Sequence, residues 1–291
     1  MATKQEQTIH MTEKVKAKLT ETFGEYVENR EYLWKEGAAK REGLSRMMLK
    51  LIKDDPEMDR LMKEAREKTL ALAQRPLPKH RVPMRVRERK TDTETRIAAS
   101  TDNDDGINTE DFAPTSIHLS PPWANAWTSN TNTDLVVVEP EDGEMRLSLN
   151  TESGYGHTQS AAMAMGPWFQ PLPGSGQMTV SVNAFIAYSY GNHAWAQSAE
   201  THAWIGIYIV EWDPDTQQEV QVNSRYAVDL WNYTHDSDLG SSEDYPVAVT
   251  VATVPEHVYA VLLWAGGDVS STGLSYASLS VSMTDMFIRL A

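Results

Sequence analysis

Residues 178–188 read MTVSVNAFIAY. Met178, Val180, Val182, Ala184, Ile186 and Tyr188 fall on one side of this stretch, and Thr179, Ser181 and Asn183 on the other. A period of two is the signature of a half-buried strand. The alternation recurs in Ile205, Ile207 and Ile209, where Asp213-Pro214-Asp215 supplies a turn after Trp212. Segments 135–138, 145–150, 218–230, 247–254, 258–265 and 274–290 have the same character, and Glu141-Asp142-Gly143 marks a hairpin between the first two. About nine or ten strands are expected after residue 97, with no helical stripe between them. That pattern excludes a parallel α/β sheet and predicts an antiparallel sandwich of jelly-roll type, with a closed barrel as the alternative.

Upstream the period changes to that of a helix. Val15, Leu19, Phe23, Tyr26, Val27, Leu33 and Trp34 recur in steps of three and four over 12–34. Leu44, Met47, Met48, Leu51 and Ile52 form a second stripe, and Met58, Leu61, Met62, Ala65, Thr69 and Leu72 a third. Asp55-Pro56-Glu57 has the chemistry of N-cap, N1 and N2 for that third helix, which must end before Pro76. These stripes carry little apolar mass for an independent core, so they gain most by packing against something else.

Charge divides the chain sharply. Residues 1–74 are near neutral, residues 75–96 hold 8 Lys and Arg against 3 acids, and residues 97–291 hold 3 Arg against 24 acids. The net charge of −15 therefore hides a basic connector beside a strongly acidic domain. The connector contains Pro76, Pro78 and Pro83, which favour extended chain. Within it Val82, Met84 and Val86 alternate with Arg81, Arg85 and Arg87, and Arg89 follows. These residues are expected to contact acidic surface, with their arginine forks suited to carboxylates. Nucleic acid is not an expected partner except through residues 75–96, and there the stacking aromatics of a single-strand site are missing.

Most chemistry is excluded by composition. The chain has no cysteine, which removes disulfides, thiolate metal sites and thiol catalysis. The longest mostly apolar run, 258–267, is too short for a spanning helix, and the first residues show no secretory signal, so a cytoplasmic or particle-assembled protein is expected. No G-x-S-x-G or H-E-x-x-H motif occurs. Glu200 and His202, with His193 upstream, read as spare polar residues of a loop, so no metal and no cofactor is expected. The acidic run 102–106 fails the register of a calcium loop, because Thr101 and Phe112 would stand where carboxylates are needed.

Aromatic residues are the one enriched chemistry: residues 97–291 hold 8 of 9 Trp and 9 of 11 Tyr. Trp123 and Trp127 (PPWANAW), Tyr155 and His157 (SGYGHT), and Trp231, Tyr233 and His235 (WNYTHDSD) fall in loop-like polar stretches. Such rings serve as core, as interface anchors, or as platforms for sugars.

These readings combine into an α+β chain by segments: helical assembly or docking segment 1–75, extended connector 76–115, and antiparallel β-sandwich 116–291. The layout resembles jelly-roll capsid, shell and fibre proteins in architecture alone. The expected function is a non-enzymatic structural protein that self-assembles as a homo-oligomer, or with another assembly protein, through the helical segment and basic arm. A lectin-like sandwich using the loop aromatics is the alternative. A β-sandwich hydrolase with paired carboxylates comes after both.

Overall fold

The computed structural model describes residues 13–29, 47, 50, 55–73, 75–77, 115–129, 135–151, 157–193, 199–213, 221–234, 237–271 and 274–291. An N-terminal helical region precedes a two-sheet β-sandwich. The first helix, α1, spans residues 13–29, and α2 spans Pro56–Ala73. Asp55 caps α2 as its sequence predicts, its Oδ1 accepting from the amides of Glu57 at 3.0 Å and Met58 at 3.3 Å. Most of the stripe expected over 44–52 lies outside the described residues.

Twelve strands follow among the described residues. They are β1 (Thr115–Leu119), β2 (Asn125–Thr128), β3 (Val136–Glu139), β4 (Glu144–Thr151), β5 (His157–Gly166), β6 (Trp168–Phe169), β7 (Gln177–His193), β8 (Ala199–Trp212), β9 (Gln221–Thr234), β10 (Ser237–Ala252), β11 (Val258–Ser271) and β12 (Leu274–Leu290). The hairpin at Glu141-Asp142-Gly143 joins β3 to β4, and Gly143 takes the positive φ of 72° that the turn requires.

One sheet, A, runs β10-β7-β12-β4-β3, with β1 paired to β12; the other, B, runs β2-β5-β11-β8-β9, with β6 paired to β11. All pairings are antiparallel. Leaving aside the short strands, the chain changes sheet at every connection from β4 onward except between β8 and β9. That connectivity, with two four-stranded sheets ordered β10-β7-β12-β4 and β5-β11-β8-β9, is a jelly roll.

The core lies between the sheets. Met145, Leu147, Val180, Val182, Leu279 and Val281 from sheet A meet Met163, Met165, Ile205, Ile207, Val261 and Leu263 from sheet B. A second apolar cluster covers the outer face of sheet B, where Val15 and Leu19 of α1 pack with Trp127, Trp204, Tyr208, Leu262 and Trp264. This explains the run 258–267: β11 is buried along its whole length, by the core on one face and by the α1 layer on the other. A fourth layer, on the opposite side, is α2, which packs against β7 and β12 of sheet A.

Two sequence expectations are corrected. WNYTHDSD is not a loop: Trp231 and Tyr233 lie on β9, and β10 begins at Ser237. Polar residues are tolerated there because, among the described residues, β9 and β10 are edge strands, each paired on one side. Glu200 and His202 likewise sit on β8, in the middle of sheet B.

Candidate functional site

The densest polar chemistry lies where α1 crosses sheet B. In the β8–β11 register His202 stands opposite Asp268, both on the outer face. A bulge in the β8–β9 pairing between Ala203 and Trp204 skips Leu230 and turns Asp229 toward the same ring. Tyr26 descends from α1 onto this pair.

His202 is held at both ring nitrogens. Its Nε2 lies 2.8 Å from Asp229 Oδ1, and its Nδ1 lies 3.0 Å from Asp268 Oδ2 and 2.8 Å from the Tyr26 hydroxyl. The Tyr26 O–H donates to Asp268 Oδ2 at 2.6 Å. Asp268 is 1% exposed, so its carboxylate depends on these partners for what water would supply. Each ring nitrogen thus has a carboxylate oxygen within hydrogen-bonding distance, an arrangement that favours the protonated ring, since only an imidazolium can donate from both nitrogens. The ring is also flanked by Trp204, whose centroid is 5.5 Å from His202 and 4.4 Å from Tyr26.

This arrangement ties a helix to a sheet. A histidine acting as general base presents one nitrogen to substrate while a carboxylate orients the other. Here Nε2 is already bonded to Asp229, and the ring is buried beneath α1. One turn earlier Thr22 hydrogen-bonds Tyr208 at 2.9 Å, a second polar contact within the same apolar interface. Burial pushes the Tyr208 phenol upward, with Thr22 opposing.

A second feature lies on the outer face of sheet A. A groove of about 560 Å³ runs over β3, β4 and β12. Leu77 forms one wall, Leu135 and Val137 the other, and Ser148, Ser278 and Ser280 the floor. Glu139, Glu144 and Arg146 complete the lining; Arg146 bonds Glu139 at 2.6 Å. Serines on two neighbouring strands, β4 and β12, leave this hollow.

The residues singled out from sequence are distributed as follows. Trp123 is 5% exposed in the inter-sheet core, and Trp231 is 4% exposed, with its ring 5.1 Å from that of Tyr190. Trp127 is 7% exposed and packs edge-on to Phe23 of α1. These three rings are therefore packing residues, Trp123 and Trp231 filling the space between the sheets and Trp127 the seam between α1 and sheet B. Tyr233 and His157 lie on β9 and β5. Tyr155, His235, Arg81, Val82, Met84, Arg85, Val86, Arg87 and Arg89 lie outside the described residues. Neither the His202 cluster nor the groove was anticipated; the outward histidine on an alternating strand, His202 beside Trp204, was the one available signal for the first.

No protein-family profile matches the chain, and no curated protein matches it at a significant level. Among the described residues no cluster of three or more His, Asp or Glu could hold a metal ion, and no helix is long and apolar enough to cross a membrane.

Proposed function

We propose that the protein is a self-assembling structural component, a shell- or fibre-like building block whose basic arm engages acidic surface of a neighbouring copy. One observation carries this reading: Leu77, at the start of the basic segment 75–96, lies on the face of sheet A, in a sandwich whose residues 116–291 hold 19 acids and 3 arginines. Opposite charge of that size acts within a Debye length of about 8 Å at physiological salt, so it rewards close contact between arm and sandwich. Jelly-roll connectivity supports the reading by analogy of architecture. The apolar stripe of α1 is occupied within its own chain, which leaves the connector as the better-placed assembly element. The carbohydrate-binding alternative draws no support from Trp123, Trp127 and Trp231, whose rings are packed inside.

Gel filtration with light scattering tests the proposal. The expected result is an oligomer at micromolar concentration that dissociates as salt rises from about 0.05 to about 0.5 M. Reversing Arg81, Arg85, Arg87 and Arg89 to Glu should give the same loss at low salt. A monomer under all conditions overturns the reading.

A further inference from the structure

We infer that the groove over β3, β4 and β12 is the seat of the arm of a second copy, residues 79–89. The inference rests on the assembly reading above and adds where the arm binds and whose arm it is.

Shape, surface and chain length agree on this occupant. A groove of about 560 Å³ suits a few side chains of an extended segment, since small-ligand pockets span about 300–1,000 Å³. Its apolar contacts are Leu135, Val137 and Phe185, and its carboxylates are Glu139 and Glu144. Glu144 has no ion-pair partner among the described residues. An extended 79–89 offers a complement: Val82, Met84 and Val86 share the face that meets the apolar lining, and the long side chains of Arg81, Arg85 and Arg87, on the opposite face, reach round to the acidic rim at Glu144.

The arm of the same chain is poorly placed to fill this seat. Leu77 of the same chain already lines the groove. After Leu77 the described residues resume at Thr115, opposite Leu290 of β12, whereas the groove lies at Ser278–Ser282 of the same strand. That separation is about 30 Å at the strand rise. Residues 78–114 reach about 120 Å when extended, several times what a direct return needs. The surplus lets the arm visit a neighbour and come back.

The absence of cysteine makes the test direct, because an introduced thiol is the only one in its chain. Protein carrying Ser280→Cys and protein carrying Met84→Cys, each verified as folded by circular dichroism, are mixed in about 0.5 M salt, dialysed together to about 0.05 M, and oxidised. A mixed dimer on a non-reducing gel, at least tenfold stronger than when exposed Glu256→Cys replaces Ser280→Cys, is expected. A band no stronger than that control overturns the inference. So does a double variant, Met84→Cys with Ser280→Cys, that closes only within its own chain. Light scattering on the unmodified protein separates the two levels. Assembly without the specific cross-link sinks the groove and leaves self-assembly standing, whereas a monomer sinks both.

Discussion

Replacing Tyr26 with Phe removes one oxygen and leaves the ring that packs 4.4 Å from Trp204. The lost hydroxyl donates to Asp268 at 2.6 Å and sits 2.8 Å from His202. A hydrogen bond to a charged group contributes about 1.5–3 kcal/mol, and Tyr26 is only partly buried, so the lower half of that range applies. The expected loss is about 2 kcal/mol, or about 4–8 °C in Tm for a chain of this size. Urea unfolding followed by tryptophan fluorescence measures it, with Trp204 under the helix as a reporter. Thr22→Val is the internal comparison, since it removes a neutral bond to Tyr208 worth about 1 kcal/mol. If Tyr26→Phe is indistinguishable from the parent, or costs less than Thr22→Val, the charged cluster does not hold α1 and the helix docks through apolar contact alone.

Leu19→Ala, at a residue 2% exposed between α1 and sheet B, should cost about 2–5 kcal/mol and lower the helical signal in far-ultraviolet circular dichroism. Parent-like stability would show that α1 is not docked there. Gly206→Ala would place a Cβ 1.8 Å from the Tyr226 carbonyl oxygen of β9, a backbone atom that cannot swing aside. Strain of about 1–3 kcal/mol is expected, while Gly176→Ala, whose Cβ meets nothing within 4 Å, should be near neutral in thermal melts. Burial raises the phenols of Tyr208, Tyr259 and Tyr276, that of Tyr259 to about 12. The folded state therefore keeps these protons when the unfolded chain has lost them. Stability should hold up to about pH 10 and fall between there and about pH 12. Titration of these three tyrosines at the ordinary pH, in a protein that stays folded, would contradict this.

Much of the sandwich is legible in the sequence because its strands have one dry face, and a period of two survives wherever only one face is buried. The run 258–267 breaks the alternation for a physical reason, since β11 is covered on both sides. β10 is the opposite case. Its first half, SDLGSSEDYP, lacks the pattern, and it lies on an edge strand whose backbone pairs with β7. The His202 cluster was illegible from sequence. Its members lie 27, 66 and 176 residues from the histidine, and only the β8–β9 bulge and the docked helix bring them together. Aromatic content reported a wide core, and local polarity around Trp127 and Trp231 misplaced them in loops, whereas Trp123 does lie in the connection between β1 and β2 with its ring in the core.

The middle of each sheet belongs to one of the last two strands, β11 in sheet B and β12 in sheet A. During synthesis, β5 and β8 wait for β11, and β4 and β7 wait for β12, before either layer can become continuous. β12 pairs Leu290 with both Thr115 and Met178, so its closing step spans most of the chain and carries a high loop-closure cost. Until then the nascent chain exposes apolar strands with unpaired edges, a state prone to association with other chains. A chain that stops before β11 can form strand pairs such as β10–β7 and β8–β9 but no continuous sheet, and the negative charge of residues 97–291 opposes the association of such chains by mutual repulsion.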